Sequence, residues 1–529
     1  MEIYCSYFLE CLHRMNQYLK GGRAMKGRSI KKDTVKLTIV QFALEFMNLG
    51  ANLWLSQKAG SAAVGMIALV GSFFSLASMA AGGSGYLCAS RFVSEELGKE
   101  KGNPERILRY VMIFSLILGV PGCIIIICFA PFIAEYFFHS NEMTLTVCIL
   151  GAILPFGGIS SCMKGWCNSV CRVKLAAFCD VSEFIVKMTV LVIYILKTGT
   201  NDAGSLCTAL ALSMASGILV SLVILTFDFL THRMKSNEKV SIGFSNYIKL
   251  AMPVILGGCL TSALSTANDA LIPVTLRQSG STAEAALSQF GVFEAIVIPV
   301  LFFPTSVLCV LSGILIPEAA RAEAGAKKER LQYLTKRSLK FTIYFSFFIA
   351  AVFLAFGDDI ALIMNDDPLA GKMIKLLAPV VPFIYLEIIL EAIIKGTGRQ
   401  QFSMINYLAE YTVRISAVLL LIPVIGFYGI VVSYYASNIF GNCMRLIKTF
   451  KITKLSPDIK ELLICPLLGA LSAFYLPYTV FHCFGINPFN NLVWSLPYLL
   501  VALVIYIFIT LVLKESHYNI FKRKFNSSI

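Results

Sequence analysis

Apolar runs of about 20 residues follow one another along almost the whole chain, broken only by short polar stretches. A helix of that length rises ~30 Å, enough to cross the hydrocarbon core of a bilayer. Fourteen such spans are expected, near 36–57, 63–90, 107–135, 144–164, 174–196, 204–230, 248–274, 284–316, 338–357, 373–394, 402–424, 427–447, 460–482 and 490–513. The two longest, 63–90 and 284–316, are expected to project beyond the lipid. With 57% hydrophobic and only 14% charged residues among 529, the chain has too little polar surface for a soluble fold of its size. It reads as an all-α polytopic membrane protein of about 14 transmembrane helices, with no room for a large soluble domain.

The basic residues set the orientation. A formal charge of +14 would by itself fit a nucleic-acid partner, but its distribution argues against one. With the N-terminus inside, five of the 45 Lys and Arg fall in outside loops (Lys58, Lys197, Arg277, Lys372 and Lys375) and two, Lys187 and Arg414, fall within spans. That bias is the positive-inside pattern, which gives an N-in, C-in topology and an even number of spans. The basic inner face should attract anionic lipids of the inner leaflet. The outside loop 357–368 carries Asp358, Asp359, Asp366 and Asp367, either the complement of the same rule or a cation-attracting mouth.

Sixteen cysteines lie scattered, mostly within spans, and no outside loop holds a paired set, so no disulfide framework is expected. Cys162, Cys167, Cys171 and Cys179 gather at an inside turn without zinc-type spacing and read as small apolar fillers rather than a metal site. The first 25 residues lack the apolar core and cleavage site of a signal peptide. Tyr4, Phe8, Cys11, Met15 and Leu19 share a helical face, which fits an amphipathic helix on the inner surface; a start at Met25 fits equally well. The chain has no Walker loop, dinucleotide fingerprint or HExxH, and no mid-membrane histidine, so an enzyme is not expected.

The chain also repeats itself. At a single offset of 227 residues, Gly98 matches Gly325, Pro155-Phe156 matches Pro382-Phe383, Arg172 matches Arg399, Glu183 matches Glu410 and Lys187 matches Arg414. One offset shared by this many features marks a duplication. Six spans separate matched positions, so the copies have the same orientation and are related by an axis along the membrane normal. The expected organisation is an inside N-terminal segment (1–29), a six-helix lobe (30–232), an inside linker (233–247), a second, parallel six-helix lobe (248–450), two further spans (451–513) and an inside tail (514–529).

Charges inside the spans carry the functional reading. Glu183 lies ten residues into its span, ~15 Å deep and near the bilayer midplane, and Glu410 sits at a comparable depth in its own. A charge there costs ~2.5–3.5 kcal/mol on insertion scales. Lys187 and Arg414 each follow a glutamate by four residues, so each pair can partly cancel within its helix. Symmetry argues for more than a tolerated defect. Facing a wet cavity between the lobes, the two cations would hold an anionic headgroup, while Glu183 and Glu410 moderate that grip or carry protons. Glu45, Asn48 and Asn52 share a face of the first span and, with Glu294 and Glu387, are further cavity candidates. Glu391 is expected to pair with Lys395. Asp269, with no basic residue nearby in sequence, reads equally as a coupling-ion or proton site and as an interhelical hydrogen-bonding group.

Four stretches carry a family resemblance: "MPVILGG" followed by "NDALIPVTLRQSG", "FPTSVLCVLSGILIPEAARA", "KGTGRQQFSMINYLAEYTVR" and "SEFIVK". In order and spacing they resemble the flippase branch of the multidrug/oligosaccharidyl-lipid/polysaccharide (MOP) exporter superfamily over about residues 30–450. The likeness is to the stage V sporulation protein B-like polysaccharide exporters and, more distantly, to the lipid II flippases. The resemblance implies movement of an undecaprenyl-phosphate-type lipid-linked oligosaccharide or wall-polysaccharide precursor across a bacterial plasma membrane. It implies alternating access of two lobes, driven by membrane potential or by a Na+ or H+ gradient, with no cofactor beyond such a cation. It implies Asp269, Asn406 and Ser433 for the coupling ion, and Lys187 and Arg414 for the diphosphate. The two spans after the repeat would form a groove for the lipid tail. Lipid II flippases resemble one another in carrying arginines in the first, second and eighth spans; here the first span has Glu45, and Arg91 and Arg321 lie at or beyond inner ends. The acids Glu45, Asp269, Glu294 and Glu387 leave a cation- or proton-coupled multidrug or metabolite exporter as the alternative, and a non-transporting scaffold for envelope assembly as another.

Overall fold

The computed structural model describes residues 27–510 except 83, 98–102, 139, 171, 199–202, 233–242, 325–327, 365–367, 456–459, 484–493 and 496. The amphipathic N-terminal face, most of the linker, the tail, Cys171 and the matched Gly98 and Gly325 lie outside the described residues. Every regular element among the described residues is a helix, as a lipid-embedded backbone requires when it must pair its own N–H and C=O groups.

Packing divides the chain into two compact units, Met1–Ala295 with Val418–Gly426, and Ile296–Ala417 with Phe427–Ile529. The first contains α1 (Gly27–Ala59), α2 (Ser61–Gly82), α3 (Gly85–Leu97), α4 (Pro104–Cys128), α5 (Thr144–Ser169), α6 (Val173–Thr198), α7 (Ala203–Thr231), α8 (Phe244–Gln278) and α9 (Ala283–Gly291). The second contains α10 (Thr305–Ala324), α11 (Lys328–Met364), α12 (Pro368–Leu377), α13 (Val381–Gly396), most of α14 (Gln400–Ile425), α15 (Tyr428–Thr453), α16 (Cys465–Cys483) and α17 (Pro497–Thr510). Thus α8 and α9, which follow the linker in sequence, pack with the first unit.

Ten helical stretches among the described residues are long and apolar enough to cross a membrane. The expected spans near 36–57, 174–196, 427–447 and 490–513 coincide with α1, α6, α15 and α17, which do not meet that measure of length and composition. α6 carries Asp180, Glu183, Lys187 and Lys197, and α15 carries Arg445 together with Asn438, Asn442 and several serines and tyrosines. The two longest expected spans do not run through as single helices. The first breaks between α2 and α3, where Ser84 takes a left-handed φ of 51°. The second loosens into a π-helical turn at Val292–Val297 and breaks at Phe303-Pro304, ahead of α10; proline there has no N–H to continue the ladder.

The first unit's core joins α3, α4, α5 and α8. The Tyr247 ring lies edge-on to Phe92 at 5.1 Å and to Phe114 at 6.0 Å, within a cluster that includes Trp166 and Cys162. The second unit's core joins α11, α16 and α17, where Tyr506 Oη donates to the Tyr344 carbonyl at 2.8 Å. The tightest crossing lies between α2 and α9. A Cβ placed on Gly65 would fall on the Leu287 carbonyl, and one on Gly291 would fall on the Ser61 carbonyl. Beside them the Ser61 and Ser288 hydroxyls meet. These two serines stand 227 residues apart, the offset at which the sequence features match. Gly291→Leu should therefore force α2 and α9 apart and lower stability by about 1–3 kcal/mol or more; a thermal unfolding midpoint equal to wild type would show that the crossing is not tight.

Candidate functional site

In the first unit the charges gather on α6. Ile185, Thr189, Ile193 and Leu196 are exposed and mark one face, while Phe184, Leu191 and Ile195 are buried. Glu183 and Lys187 are half-buried and lie on the side turned away from the exposed face. Glu183 packs on Gly217 of α7, where a Cβ would come 3.1 Å from its Cγ. Its ionic partner is not Lys187, as the four-residue spacing led one to expect. Lys164 Nζ reaches over from α5 and donates at 2.7 Å to Glu183 Oε2 and at 2.7 Å to Asp180 Oδ1. A lysine on a neighbouring helix, set at the right height, outcompetes the intrahelical one. Lys187 is thereby left with no hydrogen bond or ion pair among the described residues.

The second unit builds a denser network around a residue outside the sequence-based set, Arg445 of α15. It is 0% exposed. Its Nη1 donates to Glu410 Oε2 at 2.7 Å, its Nη2 to Glu387 Oε1 at 2.8 Å and its Nε to Glu391 Oε1 at 2.8 Å. Glu391 also accepts from the Ser403 hydroxyl and pairs with Lys395 at 3.3 Å, the pairing its spacing predicts. Arg414 keeps its intrahelical partner, Glu410, at 3.5 Å. It is buried, donates from Nε to Ser437 Oγ at 2.9 Å, and lies over the rings of Tyr411 at 4.9 Å and Tyr434 at 4.4 Å. The matched cations therefore have different surroundings: Lys187 has no partner among the described residues, whereas Arg414 is packed between two tyrosines.

The other candidates are spread over both units. Asp269, in the first, accepts from Ser72 Oγ of α2 at 2.6 Å and from Asn268 Nδ2 at 3.2 Å. Asn406 and Ser433 belong to the second, where Asn406 Nδ2 donates to the Gly441 carbonyl at 3.1 Å and Ser433 Oγ to the Ile430 carbonyl at 2.7 Å. On α1, Glu45 and Asn52 are half-buried and Asn48 is exposed. Glu294 is half-buried within the π-helical turn. Sequence reasoning missed Lys164 and Arg445 because each sits within a few residues of the inner end of an expected span and was counted with the basic inner face. The signal available was that each lies just inside a predicted span boundary rather than beyond it.

The second unit also holds an apolar cavity of about 890 Å³, lined by Ile343 and Phe347 of α11, Leu386 of α13, Phe450 of α15 and Phe474 of α16, with Tyr498 of α17 at its edge.

Ten helical stretches of membrane-spanning length among the described residues, with charges buried between them and a large apolar cavity, define a multi-pass membrane protein. The chain belongs to the MatE family, whose sequence pattern matches residues 37–193 and 284–420, together more than half of its length, in two segments that end 227 residues apart. It is 19% identical over 453 residues to stage V sporulation protein B of Bacillus subtilis (strain 168), covering 83% of this chain and 86% of that protein. Its fold is similar to that of the lipid II flippase MurJ in an inward closed conformation (TM-score 0.63, 13% identity, 91% of this chain and 99% of that one). It is also similar to the MATE multidrug transporter DinF-BH (TM-score 0.64, 15% identity, 82% and 99%). The protein is a multi-pass cell-membrane protein of the MatE family, with the fold of MOP-superfamily transporters.

Proposed function

We propose that the protein is a flippase that carries a lipid-linked oligosaccharide or surface-polysaccharide precursor across the membrane by alternating access. The observation that carries this reading is the apolar cavity of about 890 Å³ in the second unit. Its wall includes Leu467, Phe474 and Tyr475 of α16 and Tyr498 of α17, helices that lie outside the duplicated part of the chain. A small soluble drug needs no such annex. A long polyprenyl tail does, because an apolar groove spares it the cost of entering a wet translocation path, about 0.8 kcal/mol for each methylene exposed to water. Lys187 supports the same reading from the first unit: an ammonium within an apolar span, with no hydrogen bond or ion pair among the described residues, is suited to the phosphate of a headgroup. In this proposal the headgroup is held chiefly by Lys187, while Arg414 serves its own buried network.

The test uses two ligands that share a diphosphate and differ in tail length. Ala351 lines the cavity and is half-buried, so Ala351→Trp should fill it. Native mass spectrometry of the variant is expected to show binding of undecaprenyl diphosphate reduced about tenfold, the equivalent of about 1.4 kcal/mol, with farnesyl diphosphate little changed. Equal retention of both lipids would sink the tail-groove reading. Export of an organic cation is the second reading, favoured by the likeness to DinF-BH and by the acids Asp269 and Glu387. Binding of a cationic aromatic dye in place of undecaprenyl diphosphate would move the assignment there.

A further inference from the structure

The resemblance places Asn406 in a coupling-cation site, and the acids around it make that idea reasonable on charge alone. The geometry of the second unit does not fit an added cation. Arg445 already reaches into the acids from α15, and its three nitrogens are divided one to each carboxylate, at 2.7 Å to Glu410 and 2.8 Å to both Glu387 and Glu391. Close approach is built into the backbone. Gly441 lies one turn before Arg445, and a Cβ there would collide with Glu410 Oε2 and lie 2.9 Å from Arg445 Nη1. Asn406 turns its amide nitrogen to the Gly441 carbonyl. Among the described residues the ion pairs join Glu387, Glu391 and Glu410, with three negative charges, to Lys395, Arg414 and Arg445, with three positive ones. An alkali ion entering it would add an uncompensated charge where the dielectric is low, and would compete for oxygens that already accept charge-assisted bonds.

The first unit solves the same problem in its own way. Glu183, the counterpart of Glu410, is also tied to a cation from another helix, Lys164. The counterpart of Lys164 is Glu391, an acid, and the counterpart of Arg445 is Ile218. The cation is supplied from a different helix in each case, yet in both a glutamate on the charged helix has a resident positive partner.

We infer that Arg445 is a resident counter-cation that determines coupling-ion specificity: it takes the place of an alkali ion among Glu387, Glu391 and Glu410, so these acids do not bind Na+. This goes beyond the flippase reading and does not depend on the identity of the transported molecule.

Thermal unfolding of the purified full-length protein, in NaCl and in choline chloride at equal ionic strength, tests it. The wild type is expected to unfold at the same temperature in both salts. Arg445→Ala is expected to unfold earlier in choline and to recover by several degrees when Na+ or low-millimolar guanidinium is added. A saturable stabilisation of the wild type by Na+ that Glu410→Gln or Glu387→Gln removes would overturn the inference. So would a folded Arg445→Ala protein that responds to neither ion. A Na+ response of the wild type that both glutamine variants retain arises from other residues and supports the inference. If Arg445→Ala cannot be purified, the wild-type and Glu387→Gln comparison decides alone.

Discussion

Arg445→Leu is expected to destabilise the second unit by about 3–5 kcal/mol, because it leaves a buried charge network without its central cation. The figure rests on an asymmetry of buried ion pairs. Forming one from solvated ions gains little, since desolvation offsets most of the attraction, but deleting one partner strands the other. Here a single guanidinium serves Glu387, Glu391 and Glu410, so its loss takes a charge-assisted partner from three carboxylates at once. Arg445→Lys should recover part of the loss, since an ammonium keeps the charge but cannot present three nitrogens in a planar fork. Adding Glu410→Gln to Arg445→Leu should also recover part of it by removing the most buried acid. Denaturant unfolding in detergent micelles gives the measurement. A loss below about 1 kcal/mol for Arg445→Leu would mean that the acids relax into water or take up protons, and that the network is not a fixed element of the unit.

Much of the fold was legible because the bilayer imposes strong rules. Segment length and composition, which give the all-helical multi-pass architecture, follow from the sequence without knowledge of packing. The breaks at Ser84 and Pro304 were less legible. Serine is not a usual residue at a φ of 51°, and a proline inside an apolar run is tolerated in many membrane helices. The grouping of α9 with the first unit draws on the crossing at Gly65 and Gly291, where the lack of a side chain is the signal, and a pattern search for apolar or charged residues does not register it. At the site, the four-residue spacing correctly paired Glu410 with Arg414 and Glu391 with Lys395. The same spacing failed for Glu183, because helical spacing describes neighbours on one helix and says nothing about Lys164 on the next. Arg445 was hidden for the same reason: three of its contacts lie 35, 54 and 58 residues away in sequence.

That failure at Glu183 leads to the second large effect expected. Lys187→Ala should weaken binding of undecaprenyl diphosphate by about 10- to 100-fold, the range for losing one charge-assisted hydrogen bond of about 1.5–3 kcal/mol. Arg414→Ala should instead lower stability and leave that affinity within about threefold, because its guanidinium is engaged by Ser437, Glu410 and two tyrosine rings. The informative variant is Lys164→Ala. It touches no ligand in this account, yet it releases the Glu183 carboxylate, which stands four residues from Lys187 on the same helix and is then free to capture it. Lys164→Ala should therefore weaken lipid binding nearly as much as Lys187→Ala does, and Lys164→Ala combined with Glu183→Gln should restore it, since the amide carries no charge to hold the ammonium. Restoration by the second substitution would mean that Lys164 keeps Lys187 available by occupying its natural partner. Binding unaffected by Lys164→Ala would break that chain of reasoning at its first link and leave Lys187 as a charge whose neighbour does not matter.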